Sequence, residues 1–247
     1  MFNRPLHLAA VVPLNRQDQA KSRLSPQLSP PWRQKLFRAM SLDVLSVLNC
    51  HPAITDSWVI SQDELNMALA DRMGAQFLRQ PDDERGLSRA LQSAMHQLRH
   101  RQYDGLVVVH GDLPRISDHA LSSFLEQILL QKGKGMVIAT DKHGLGTNAV
   151  FCPLPSKFRF AYGSDSCHRH VAVAHALELE CKVMNIDALA QDVDGIDDII
   201  ALFDCASYSL GRHTRALLPR LADEIRPGLT THKTSRPQLC PLDTITC

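Results

Sequence analysis

The sequence predicts an α/β fold on a mostly parallel, doubly wound sheet, and three observations lead there. Short apolar runs of strand length alternate with segments whose apolar residues recur every three to four positions. The run at 106–109, Leu-Val-Val-Val, is continuously apolar, as a strand covered on both faces must be. A chain of 247 residues with 44% hydrophobic content is also long enough to bury a full core.

The elements follow in order. Residues 8–13 form a short apolar strand, 15–31 a polar loop, and 32–48 a helix with Leu36, Met40, Val44 and Leu48 at helical spacing. A strand at 56–61, a helix at 64–73, a short strand at 75–78 and a helix at 87–100 continue the alternation. The 106–109 strand leads to a helix at about 117–131 and a strand at 135–140. Residues 149–152 are strand-like, 164–179 read as a helix capped by Ser164 or Asp165, and 181–186 as a further strand. The segment 194–203 opens acidic and closes apolar. Composition then changes. We expect one domain over 1–204 and a C-terminal extension over 205–247, helical at 215–225 and loosely ordered from 226, where Thr and Pro dominate.

Charge and cysteine usage narrow the function classes. A formal net charge of +1, with dispersed basic residues, offers no footprint for nucleic acid or an anionic membrane. No run approaches membrane-span length, and Met1-Phe2-Asn3-Arg4-Pro5 lacks the apolar core of a signal peptide, so a cytoplasmic location is expected. Seven cysteines without a Cys-x-x-Cys pair point to reduced thiols. Cys167-His168-Arg169-His170 does not have the spacing of a structural zinc site.

The chemistry-bearing residues are acids and small residues at strand ends. Asp112, in His110-Gly111-Asp112-Leu113-Pro114, stands at the carboxyl end of the 106–109 strand, where open α/β sheets place ligands. Asp192 and Asp194 alternate, so an extended backbone points both carboxylates to one side. Three carboxylates could thus converge on a hard cation. Gly144-Leu145-Gly146-Thr147-Asn148 lets backbone amides approach an anion closely. Each feature also has a plain structural reading: Asp112 could cap the turn before Pro114, Asp194 could cap the next helix, and Lys21-Ser22-Arg23 could be an exposed basic loop.

Taken together, the motifs resemble those of the CofC/FbiD guanylyltransferases. The resemblance runs over most of 8–203 and rests on an ordered set: Val12-Pro13-Leu14 with Ala20-Lys21-Ser22-Arg23-Leu24, then Gly111-Asp112-Leu113-Pro114. It continues through Asp141-Lys142-His143-Gly144-Leu145-Gly146-Thr147-Asn148-Ala149, Phe160-Ala161-Tyr162-Gly163-Ser164-Asp165-Ser166 with His170, and Asp192-Val193-Asp194. Two positions depart from the pattern: Ser88 stands where the family usually has Asn, and Cys167 where it usually has an aromatic residue.

The resemblance implies a Rossmann-like three-layer α/β/α sandwich, similar to nucleotide-diphospho-sugar transferases. It also implies transfer of GMP from GTP to a small phosphorylated carboxylic acid, with release of pyrophosphate, in coenzyme F420 biosynthesis. The acceptors it implies are 2-phospho-L-lactate, phosphoenolpyruvate and 3-phospho-D-glycerate. A triphosphate with about four negative charges and a phosphate monoester with nearly two repel strongly, so cations are needed. Mg2+ held by Asp112, Asp192 and Asp194 suits that demand. Lys21 and Arg23 would meet the β- and γ-phosphates, with Asp112 completing the catalytic set. Thr147, Gly163 and Ser166 would hold the acceptor, and His170, four residues on, would reach an anion from the same helix face. A homodimer is common in the resembling family. The same motifs also admit a nucleotidyltransferase for a sugar phosphate or molybdopterin, or a GTP-binding module without catalysis.

Overall fold

The computed structural model describes residues 4–83, 85–205 and 207–229. Its strands are β1 (Leu8–Pro13), β2 (Asp56–Ser61), β3 (Gln76–Arg79), β4 (Gly105–Val109), β5 (Met136–Thr140), β6 (Thr147–Pro153) and β7 (Cys181–Met184). They form one seven-stranded sheet in the order β3-β2-β1-β4-β6-β5-β7. β6 runs antiparallel to both β4 and β5, and the other pairings are parallel. The mostly parallel, doubly wound expectation therefore holds. The β5–β6 reversal has a simple cause: residues 141–146 are too few for a crossover helix, so the chain must turn straight back.

The pleat sorts side chains into two cores. Leu8, Ala10, Val12, Val107, Val109, Val137, Ala139, Ala149 and Phe151 face one layer. Helices α1 (Pro30–Cys50), α2 (Glu64–Met73), α4 (Asp118–Leu130) and the short α6 (Asp187–Ala190) supply residues to that layer. Ala9, Val11, Leu106, Val108, Met136, Ile138, Val150 and Cys152 face the other, beneath α3 (Leu87–Leu98) and α5 (Ser166–Ala176). This is a three-layer α/β/α sandwich.

A third cluster closes one flank. Leu36 and Met40 on α1 pack with Val193, with Ile199 and Leu202 of α7 (Ile196–Asp204), and with Leu210, Leu221 and Ile225. The last two belong to α8 (Arg212–Leu229). The helix expected at 215–225 is thus longer at both ends, and residues 226–229, expected to be loosely ordered, continue it. Its apolar stripe, buried against α1, outweighs the local Pro-rich composition. The remainder of the expected loose stretch lies outside the described residues.

Other expected bounds need correction: the helix expected at 87–100 ends at Leu98 and the strand expected at 181–186 at Met184. α1 begins at Pro30 rather than at 32, because prolines in a first turn forfeit only donors that have no helical partner there. α5 begins at Ser166, and Asp165 occupies the cap position in a left-handed conformation (φ 56°) without a capping side-chain bond. Among the described residues, no helix is long and apolar enough to cross a membrane.

Candidate active site

Loops at the carboxyl ends of β1 and β4 and at the start of β6 open onto one cleft of about 1350 Å³. Eight of the sequence-predicted site residues line it, Lys21, Arg23, Asp112, Thr147, Gly163, Ser166, Asp192 and Asp194, and His170 does not. The cleft lies where strand order switches around β1 and β4, the place an open α/β sheet leaves for ligands.

Backbone bonds build the acidic half. After β4, His110 N–H donates to Asn148 C=O (2.9 Å), extending the β4–β6 pairing by one residue. Gly111 then packs so tightly that a Cβ there would lie 2.4 Å from Leu14 Cδ2. Val193 N–H donates to Asp112 C=O (3.2 Å), which joins the two acidic loops directly. Val193 is buried in the apolar cluster, while Asp192 and Asp194 on either side of it line the cleft. Alternation in an extended segment thus puts both carboxylates on the cleft side. Asp198, on α7, holds the loop by accepting Asp194 N–H (2.9 Å) and Gly195 N–H (2.8 Å), and pairs with Lys142 (2.6 Å). Sequence reasoning missed that clasp, although an acid three residues into a helix after glycine is its visible signature.

Lys21 sits among these acids. Its Nζ donates to Asp112 Oδ2 (2.5 Å) and Asp194 Oδ1 (3.2 Å), and Arg23 donates to Asp194 Oδ2 (3.0 Å). The Lys21 backbone is left-handed (φ 53°), a conformation that costs a non-glycine residue about 1 kcal/mol or more and that gathers at functional sites. Burial opposes charging of Lys21, yet Asp112 and Asp194 together hold its pKa above the ordinary lysine value. Burial likewise pushes the Asp112 carboxyl up, but Lys21 and His110 more than offset it and the net shift is downward. Asp192 goes the other way, raised by burial and by the Asp112 charge, although Asn148 donates to it (3.2 Å).

The three carboxylates do not form a cage on their own: among the described residues, no three His, Cys, Asp or Glu side chains group closely enough to hold a metal ion. The Lys21 ammonium bridges Asp112 and Asp194 instead. The donors nevertheless fit a hard cation. They are carboxylate oxygens on one cleft wall, and Asp112 Oδ1 is buried without a hydrogen-bond partner among the described residues. Burial and, after it, the Asp112 charge push Asp192 up, and a dication would relieve the repulsive share of that push.

The other half of the cleft is polar, and the Arg169 guanidinium stands beside it, its Nη1 3.1 Å from where a Cβ on Gly163 would lie. Thr147 and Ser166 are almost fully buried, yet both border it. Gly163 has φ +131°, a conformation that side chains rarely adopt. His170 does not point at the cleft as expected. Its ring lies inside, between Thr147 Oγ1 (3.0 Å from Nδ1) and Ala161 N–H (2.9 Å from Nε2). Ser88 Oγ accepts Tyr162 N–H (2.9 Å), so this residue supports the 160–163 wall.

The chain matches the family model described as guanylyl transferase CofC like over residues 8–236, beyond the 8–203 span of the motifs. It is 31% identical over 194 residues to a phosphoenolpyruvate guanylyltransferase from Chloroflexus aggregans, covering 76% of this chain and 92% of that protein. It is 30% identical over 219 residues to a 2-phospho-L-lactate guanylyltransferase from Methanothermobacter thermautotrophicus, covering 89% and 93%. Its fold is similar to that of a cytidylyltransferase from Leptospira borgpetersenii, with a TM-score of 0.57 at 14% identity over 94% of this chain and 99% of the other. With the sandwich, the cleft and the ordered motifs in one frame, the chain belongs to the CofC-like guanylyl transferase family.

Proposed function

We propose that this protein transfers GMP from GTP to a small phosphorylated three-carbon acid, 2-phospho-L-lactate, phosphoenolpyruvate or 3-phospho-D-glycerate, and releases pyrophosphate. The observation that carries the proposal is one cleft with two unlike halves: Lys21 and Arg23 beside Asp112, Asp192 and Asp194, facing a Thr147–Gly163–Ser166 wall with the Arg169 guanidinium behind Gly163. The first suits a triphosphate with its cation, the second a small anion. The guanylyltransferase names of the relatives supply the nucleotide and the acceptor class.

An oxygen of the acceptor's phosphate forms a bond to the α-phosphorus of GTP, and the bond from that phosphorus to the α,β-bridging oxygen breaks. Pyrophosphate leaves with the electron pair. Because the nucleophile is already anionic, no residue needs to remove a proton from it, and the cleft holds Asp112 paired with Lys21 rather than poised as a base. Mg2+ bound by Asp112 with Asp192 and Asp194 would neutralise charge on the phosphates. Lys21 and Arg23 are held by carboxylates at the place where the β- and γ-phosphates would lie, and exchange those partners for phosphate oxygens on binding. Thr147 donates its hydroxyl to the acceptor, Gly163 lets that acid approach the backbone, and Ser166 adds the first amide or hydroxyl of α5.

The test is pyrophosphate release from the purified full chain with GTP and Mg2+, run separately with the three acids, with ATP and CTP in place of GTP as controls. Release that requires GTP, Mg2+ and one of the acids is the expected result. GTP binding with no release in any of the three would overturn it in favour of another acceptor or a binding module.

A further inference from the structure

We propose that His170 is the positioning residue of the acceptor half-site, tying the Thr147 hydroxyl to the backbone wall at 161–163 and aiming that hydroxyl into the cleft. The proposal rests on the reading above, in which Thr147 and Gly163 receive the acceptor. His170 is fully buried on α5, one turn after Ser166. Its Nε2 accepts the Ala161 N–H, so that nitrogen carries no proton; the opposite tautomer would set two N–H groups against each other. The proton therefore lies on Nδ1 and is donated to Thr147 Oγ1. Having accepted there, the Thr147 hydroxyl keeps its own hydrogen for another partner, and the cleft is the space it borders.

The surroundings keep this arrangement in place. Phe158, Phe160 and Tyr162 stand around the imidazole at ring-centre distances of 5.6, 6.4 and 4.7 Å. Burial, with smaller contributions from His110 and Arg169, pushes His170 down to about 4, so it is neutral at neutral pH and keeps one donor and one acceptor. The next amide along the wall, Tyr162 N–H, is fixed by Ser88 Oγ. Two successive amides are thus pinned by side chains immediately before Gly163. Both ring nitrogens are engaged within the protein, so His170 acts through Thr147 and the wall rather than by touching the reactants.

Steady-state kinetics on the full chain, with GTP and whichever of the three acids supports pyrophosphate release, test this. His170→Gln places Oε1 near the position of Nε2 and keeps the Ala161 bond, but gives up the donor to Thr147. It should raise the acceptor KM about five- to tenfold, with the GTP KM within about twofold of the parent protein. His170→Asn, whose Nδ2 lies near the position of Nδ1, should recover most of that loss. Thr147→Val should raise the acceptor KM to a similar degree, and adding His170→Gln to it should change little more. An unaltered acceptor KM in His170→Gln, or fully additive losses in the double variant, would overturn the proposal while Thr147→Val alone still shows its effect. If Thr147→Val itself leaves the acceptor KM unchanged, the acceptor-site reading fails instead. Thermal midpoints confirm folding, and His170→Phe, which keeps a ring in the aromatic cage, takes the place of His170→Gln in the cycle if that variant unfolds.

Discussion

Asp112 shows how much can depend on a single residue. Its backbone joins the two acidic loops, one carboxylate oxygen holds Lys21, and the other is buried without a partner among the described residues. Asp112→Asn keeps the size of the side chain and removes the charge, so pyrophosphate release should fall by about a hundred- to a thousandfold, the scale seen when one preorganised electrostatic group is lost. Activity within tenfold of the parent would remove Asp112 from the mechanism. The same variant has a pH signature. Because the folded pKa of Asp112 is depressed, its stabilising contribution is present above the unfolded value of about 4 and is lost as pH falls through the folded pKa. The acid limb of a stability-versus-pH curve should therefore be flatter in Asp112→Asn, as measured by denaturant unfolding at successive pH values. Asp192 is shifted upward and works with the opposite sign, so its own contribution falls as pH rises.

At the scale of elements, the least expected feature is how α8 starts. Asp43, buried on α1, accepts His213 N–H (2.7 Å) and Thr214 N–H (2.9 Å), so the cap comes from a residue 170 positions earlier in the chain. Gly211 must be glycine for this to fit, since a Cβ there would lie 2.2 Å from Asp43 Cγ. Removing the cap with Asp43→Ala should cost about 1–2 kcal/mol, which for a domain of this size is about 3–6 °C in thermal midpoint. Asp43→Asn, still an acceptor, should lose less, and an unchanged midpoint in Asp43→Ala would show that the cap is idle. This explains why the sequence placed the helix start at 215 instead of Arg212: a cap drawn from another helix leaves no local signature. By contrast, the strand at 56–61 and the helix at 64–73 were legible residue for residue. The strand has a continuous apolar centre, Trp58-Val59-Ile60, and the helix is bounded by the Asp63 cap and by Gly74 in a left-handed turn. In the cleft, Asp192 and Asp194 could be paired from sequence because alternation is local. The Lys21–Asp112 contact and the inward turn of His170 could not, because both depend on which strands lie side by side.

For the molecule as a whole, the question is whether the chain after residue 204 is an appendage or part of the catalytic unit. The composition change at 205 argues for the first. The packing favours the second. Leu210, Leu221 and Ile225 are buried with Leu36, Met40, Ile199 and Leu202, so a chain ending at residue 204 would bare an apolar face along α1 and α7. Burying a Leu or Ile side chain is worth about 1.5–3 kcal/mol each, and three such losses together rival the whole stability of a typical domain. The same segment reaches the site: Gly211 N–H donates to Pro114 C=O (2.8 Å), two residues beyond Asp112. We therefore expect a chain truncated after residue 204 to be insoluble or to unfold well below the full-length protein, and any soluble fraction to have lost pyrophosphate release. A chain ending at residue 229 should keep both stability and turnover, because every buried contact named here is retained. Thermal unfolding and the GTP-dependent release assay on the two truncations decide the matter: a 1–204 protein with the parent's midpoint and rate would make the C-terminal segment a separate extension, and the Gly211–Pro114 bond irrelevant to where Asp112 sits.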